Sequence, residues 1–187
     1  DLHMILYYGD EGLLGDGGLG AHAEQDPRRK ELRSYNCHNV PIIKHSTPTR
    51  NLSQLLHKPS LSYNSVKKVI TGTSYLFGCK LNRYIDLGRV NEGIISISDS
   101  SVSEKGSLLQ NYIFPQGDSI TTNFDCNNVD LFREGEKLLS FEFDEPLKSV
   151  KTKKVAYSIK YGVYEKRLSL QFEGQNDNCL KTKLIFK

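Results

Sequence analysis

The sequence predicts a mainly β protein of two β-rich domains, with one short helix in the N-terminal half. The C-terminal domain is expected to be an antiparallel β-sandwich of about seven strands. Short segments rich in β-branched and aromatic residues recur with turn residues between them. Several alternate apolar and polar side chains, which buries one face of a strand, as with Leu139, Phe141 and Phe143. A polar, turn-forming stretch at 98–107 divides the 187 residues.

These observations predict an α+β domain at 1–97, a linker at 98–107 and a β-sandwich domain at 108–187. The alternative is that 98–107 is a long hairpin loop inside one domain. In the first domain, the apolar run at 4–8 predicts a short element. The glycine-rich stretch at 9–20 predicts an irregular loop, because each glycine costs a helix about 1 kcal/mol relative to alanine. Asp26 as N-cap and Pro27 at the first helical position predict a short, exposed helix.

Strands are expected at further places in both halves. A strand is predicted around Ile42 and Ile43, whereas residues 62–70 fit either a helical turn or a strand. Gly162, between two strand patterns, predicts a tight turn. The remaining predicted strands cover residues 73–77, 83–87, 93–97, 108–114, 119–124, 129–132, 137–143, 154–161, 163–172 and 180–186.

Four cysteines lie far apart, and no two form a C-x-x-C pair, so neither a zinc cluster nor a thioredoxin-like centre is indicated. An even number of separated cysteines fits two disulfides, which predicts secretion as a mature form. Pairing within each predicted domain is the simplest of three connectivities, and four free thiols in a cytosolic protein is the alternative. The predicted disulfide cysteines are Cys37, Cys79, Cys126 and Cys179.

Charge and hydropathy indicate no nucleic-acid or membrane partner. The net charge is only +3, and basic residues collect at 28–30 and 148–154. Such runs are usually solvated faces, so binding of nucleic acid or phospholipid is not predicted. No stretch approaches the roughly 20 apolar residues of a membrane-spanning helix. Asn51, in Asn-Leu-Ser, is a candidate glycosylation site.

No arrangement of reactive residues predicts an enzyme. The glycines at 15–20 match G-x-G-x-x-G but lack the flanking strand and helix of a dinucleotide site. All five histidines lie in the first third, and His38 beside Cys37 is not part of a close ligand pair. Exposed loop histidines are therefore favoured over a metal site. Glu142 and Asp144 are expected on the solvent side of a strand. We predict no catalytic residue, cofactor or metal.

An irregular half containing Cys37 and Cys79, followed by a β-sandwich containing Cys126 and Cys179, resembles the dual-domain Secreted-in-Xylem effectors of Fusarium oxysporum. The resemblance implies a secreted virulence or avirulence effector of two β-rich domains. Such a protein binds host plant proteins, including an immune receptor, through its surface. No motif identifies the binding residues, and we expect a monomer. The alternatives are a β-sandwich adhesin or carbohydrate-binding module of a microbial secreted protein, and a small secreted hydrolase.

Overall fold

A computed structural model describes residues 2–18, 25–48, 57–102, 106–116, 120–160 and 162–186. Within these ranges the chain is mainly β, with one α-helix, α1 (Pro27–Leu32), and 3-10 helices at Tyr35–Cys37 and Val90–Glu92. The strands are β1 (Leu6–Tyr8), β2 (Glu11–Leu14), β3 (Pro41–Ile43), β4 (Ser60–Asn64), β5 (Val69–Ser74), β6 (Lys80–Asp86), β7 (Ile94–Val102), β8 (Leu108–Ile113), β9 (Ile120–Phe124), β10 (Asn128–Arg133), β11 (Glu136–Phe143), β12 (Leu147–Lys160), β13 (Val163–Gly174) and β14 (Cys179–Ile185).

The strands form two larger antiparallel sheets and a β1–β2 hairpin. One sheet has eight strands in the order β4-β5-β6-β7-β14-β11-β10-β9, and the other has four in the order β12-β13-β8-β3. Aromatic side chains join the sheets: Phe141 of β11 lies 5.0 Å from both Tyr112 of β8 and Phe172 of β13, between ring centroids. All three rings are fully buried, so the sheets pack face to face as a sandwich.

Strands from both predicted domains share these sheets, so the predicted division is wrong. β7 pairs with β14 from Ile94 opposite Ile185 to Ser100 opposite Cys179, and β3 pairs with β8. Residues 98–102 of the predicted linker belong to β7, while residues 103–105 lie outside the described ranges. Seven strands lie within 108–187, β8 to β14, as predicted, but they do not form a sandwich by themselves, because β3 to β7 belong to the same two sheets.

The polar composition of β7 explains the error. Ser98 and Ser100 point to the outer face of the sheet, whereas Asp99 points inward and is completely buried. The Arg83 guanidinium of β6 donates two hydrogen bonds of 2.7 Å to the Asp99 carboxylate. The polar composition of this stretch therefore predicted a linker, because the sequence does not show that Asp99 is buried and paired with Arg83.

The predicted helix is confirmed, and part of the predicted glycine loop is not. The Asp26 carboxylate accepts a hydrogen bond of 2.9 Å from the Arg28 backbone N–H, as an N-cap should. Residues 11–14 are not irregular but form β2, because Leu13 and Leu14 are buried in the core. Gly9, at φ +57°, lies in the preceding turn.

The predicted disulfides are not formed. Cys37 is buried beneath α1 in a small apolar cluster with Leu32, while Cys79 packs against the main core. Cys37 and Cys79 thus pack in different parts of the core and are not bridged. Cys126 is exposed in the β9–β10 turn, and Cys179 begins β14. Secretion stays a prediction, and it now depends on the resemblance alone.

A buried polar network fastens the N-terminal segment to the sandwich. Besides Asp99, the Arg83 guanidinium donates to the backbone carbonyls of Leu2 (2.8 Å) and Asn39 (2.7 Å). Within the described residues, no helix has the length and apolar character needed to cross a bilayer.

Asn39 is the centre of the second part of this network and is fully buried. Its side-chain amide donates to the carbonyls of Met4 (2.8 Å) and Gly15 (2.6 Å), and its side-chain oxygen accepts from the Ile113 N–H (2.6 Å). Asn39 thus holds two segments without regular structure, residues 2–5 and 15–18, against the four-stranded sheet.

Candidate metal site

The network brings together His3, Asp16 and His38, which come from three different segments. The His3 Nε2 lies 2.7 Å from Asp16 Oδ2, and the His38 Nδ1 lies 3.1 Å from the same oxygen. The two imidazole rings meet edge to face, with centroids 5.3 Å apart. One ligand atom from each residue lies within 4.8 Å of the others, which makes this a candidate metal site.

Short backbone contacts hold Asp16 in place. Its Oδ1 accepts a hydrogen bond of 2.6 Å from the Gly18 N–H. The Gly17 N–H donates to the Cys37 carbonyl, and the Gly17 carbonyl accepts from the Ser158 N–H, both at 2.9 Å. A Cβ on Gly17 would lie only 2.6 Å from the Cys37 carbonyl oxygen, so this position requires glycine.

The surroundings keep Asp16 ionised. Burial raises the pKa of its carboxyl, but the hydrogen bonds from His3, His38 and the Gly18 N–H outweigh burial and hold the pKa far below its usual value. The side chains of His3, Asp16 and His38 are 22%, 31% and 24% exposed, so solvent reaches the site. A permanent anion between two imidazoles is a suitable ligand set for a divalent cation.

The donor set fits zinc best. Zn²⁺ prefers histidine nitrogen and carboxylate oxygen at about 2.0–2.2 Å, which places tetrahedral ligand atoms roughly 3.3 Å apart. The His3 Nε2 lies against Asp16 Oδ2, at 2.7 Å. A metal ion bound to both atoms would replace this direct contact and move the two atoms apart. Three protein ligands leave a fourth position for water or another oxygen ligand.

The Asn39 backbone sets the proton position on His3. The Asn39 N–H donates to the His3 Nδ1 at 3.0 Å, so the neutral ring carries its proton on Nε2 when no metal is bound. Binding of a metal through Nε2 moves that proton to Nδ1 and breaks the hydrogen bond. Metal binding is therefore expected to change the environment of the Asn39 amide.

The expectation of exposed loop histidines is wrong for His3 and His38, which are half-buried, and is confirmed for the exposed His45 and His57. His22 and the glycosylation candidate Asn51 lie outside the described residues. No spacing rule connects positions 3, 16 and 38, so the site could not be found by ligand spacing. One feature of the sequence could have drawn attention to the site. Asp16 lies within the glycines at 15–20, and these glycines lack the flanking strand and helix that would explain them as a nucleotide site.

No protein-family model and no curated protein matches the chain. Solved structures do match its fold. A heparinase III structure superposes on 97% of this chain with a TM-score of 0.74 and 17% sequence identity, over 29% of its own length. The heparan sulfate lyase HepC of Pedobacter heparinus superposes on 98% of this chain with a TM-score of 0.77 and 14% identity, over 30% of its length.

These matches show a shared β-sandwich fold. The chain spans less than a third of the length of the solved structures it matches.

Proposed function

We propose that this chain is a β-sandwich module of a carbohydrate-acting protein and that His3, Asp16 and His38 bind a divalent metal ion in it. The observation that carries the metal assignment is the convergence of three ligand atoms from three segments around a carboxylate that its surroundings keep ionised. The carbohydrate assignment is supported by the fold shared with two polysaccharide lyases over almost the whole chain. Among the alternatives from the sequence, it favours the carbohydrate-binding module.

The proposed metal has a structural role. The segments that bear His3, Asp16 and His38 have no regular secondary structure at those residues. A metal ion joining them would stabilise the folded chain over the unfolded chain, because the unfolded chain has no preformed site. The ion would also polarise whatever oxygen occupies the open position.

Metal binding is tested by calorimetric titration with Zn²⁺ at neutral pH. We expect a single site, a higher thermal midpoint with zinc, and loss of both in His38→Ala. His45→Ala, which removes an exposed histidine elsewhere, is the matched control and should bind as the parent does. An NMR spectrum should show the Asn39 amide shifting as zinc is added. Equal zinc affinity in both variants would refute the site.

The carbohydrate assignment is tested separately, with the metal-loaded chain on a panel of neutral and acidic polysaccharides. We expect measurable binding of at least one polysaccharide and none of a matched protein without carbohydrate affinity. Absence of binding across the panel, with zinc bound, would reject the carbohydrate assignment and leave the metal site standing.

Binding of host proteins is a second candidate function, supported by one surface. The β4–β5 hairpin exposes Leu61 (77%), Tyr63 (59%) and Val66 (91%), and clustered apolar side chains suit a protein contact. Crosslinking and co-purification from plant tissue should recover a partner with the parent chain and lose it with Leu61→Asp. A partner recovered equally by both chains would exclude this surface.

A further inference from the structure

The two basic runs of the sequence, which are more than 100 residues apart, lie on one face of the molecule. Residues 27–38 cover the outer face of the four-stranded sheet, where Leu32 and Cys37 pack with Ile113 of β8 and Val155 of β12. The basic run of α1 therefore lies beside the lysines of β12. Folding therefore brings two short basic segments, each with few charges of its own, next to each other on the surface.

A cleft of about 430 Å³ separates α1 and the following 3-10 helix from β12. Lys153 and Lys154 line one side, and Ser34 and Asn36 line the other. Lys151 lies two residues before Lys153 on the same face of β12. We call this region the basic cleft.

The carboxylates near the basic cleft do not neutralise its lysines. Glu31 lines the cleft but forms an ion pair with Lys166. Lys151 and Lys153 are exposed, and within the described part of the chain neither forms an ion pair with a carboxylate. Lys153 donates to the neutral Gln171 side chain, at 2.8 Å.

Glu173, farther along the same face, is also compensated. Its carboxylate lies 2.8 Å from the Lys44 Nζ and 3.5 Å from the Lys148 Nζ. Burial raises the pKa of Glu173, but hydrogen bonds from Lys44 and Ser149 outweigh burial and lower it to about 2. Arg28 of α1 is also paired, with Asp26 at 2.8 Å. The positive charge that has no carboxylate partner among the described residues of this face therefore includes Lys151 and Lys153.

We infer that the basic cleft binds an acidic group, carboxylate or sulfate, of a polysaccharide chain, a partner that rests on the proposed carbohydrate function. Lys151 and Lys153 supply the charge, and the Ser34 hydroxyl and the Asn36 amide suit the hydroxyl groups of sugars. Charge complementarity selects an acidic ligand. The site is distinct from the His3, Asp16 and His38 cluster.

The lining favours a glycan over other polyanions. None of the described lining residues is aromatic, so the stacking platforms that hold single-stranded nucleic acid are not found there. Tyr164, which packs against the apolar cluster beneath α1, is covered by the Arg28 guanidinium, 4.4 Å from the ring centroid. Among the described residues that line the cleft, none is a large exposed apolar side chain that could insert into a membrane surface.

The test is calorimetric binding of heparan sulfate oligosaccharides to the full chain, at low and at physiological salt. The double variant Lys151→Ala/Lys153→Ala should bind about tenfold more weakly or worse and show a smaller salt dependence. The control is Lys181→Ala/Lys183→Ala, which removes two exposed lysines at the same spacing from β14 of the other sheet. It should bind as the parent does.

The outcomes separate the two proposals. Equal weakening in both double variants would show a non-specific charge effect and overturn the basic cleft, as would parental binding by the Lys151→Ala/Lys153→Ala variant. Equally tight binding of duplex DNA or phosphatidylserine vesicles by the parent at the same salt would overturn the glycan assignment. No binding of any polysaccharide by the parent would reject the proposed carbohydrate function along with this inference. Unchanged thermal midpoints in both variants are the check on folding.

Discussion

Replacing Asp99 with alanine should strongly destabilise the sandwich. The Asp99 side chain is fully buried and accepts two hydrogen bonds of 2.7 Å from Arg83 and one of 3.0 Å from the Gln110 amide. Burial lowers the pKa of Arg83, but the negative charge of Asp99 outweighs burial and raises it. Without Asp99, a guanidinium that is only 3% exposed loses its counter-charge.

Removal of one member of a buried ion pair costs about 3–5 kcal/mol. Urea unfolding has a slope of about 1–3 kcal/mol per molar for small proteins. With a slope of about 2, the midpoint of Asp99→Ala should fall by about 1.5–2.5 M. The control is Glu92→Ala, which removes the partner of Arg89 in an exposed pair and should shift the midpoint far less, because solvent screens that pair.

A second variant tests whether the destabilisation comes from leaving the Arg83 charge buried without a partner, or from losing the attraction between Arg83 and Asp99. In Arg83→Met/Asp99→Leu neither charge remains buried, and most of the lost stability should return, because apolar replacements of a buried pair are often neutral. The reasoning is refuted if Asp99→Ala shifts the midpoint no more than Glu92→Ala does. It is also refuted if the double variant is as unstable as Asp99→Ala.

Three further effects are expected. Phe141→Ala should lower the free energy of unfolding by about 3–5 kcal/mol, because its buried ring joins the two sheets, whereas Phe124→Ala, at a 45% exposed position, should cost far less in the same urea experiment. The lowered pKa of Glu173 stabilises the folded state fully above pH 4.5, its usual pKa, and this contribution disappears as the pH falls toward 2. The difference in thermal midpoint between the parent and Glu173→Gln should therefore shrink as the pH falls, and a constant difference would contradict the assignment. Gly17→Ala should lower both stability and zinc affinity, because its Cβ would meet the Cys37 carbonyl, and unchanged zinc titration would argue against a rigid site.

Local structure was the part of the fold most accessible from the sequence. The helix followed from Asp26 and Pro27 because capping is decided within a few residues. The glycine run was harder to interpret, since Leu13 and Leu14 form β2 only because the core receives them. The candidate metal site was not predicted, because its three ligands meet through contacts made by Asn39 and Arg83.

The amino-acid sequence by itself determined the β-rich character, the short capped helix and the turn at Gly162, since each depends on backbone preferences and alternation among neighbouring residues. Tertiary structure alone decided which strands share a sheet, that β7 is no linker, and that no disulfide joins the cysteines. It also decided that His3 lies beside Asp16 and that two basic runs share one face. These features depend on contacts between residues tens of positions apart, whose pairing is chosen by the burial of side chains in the whole sandwich and leaves no local pattern.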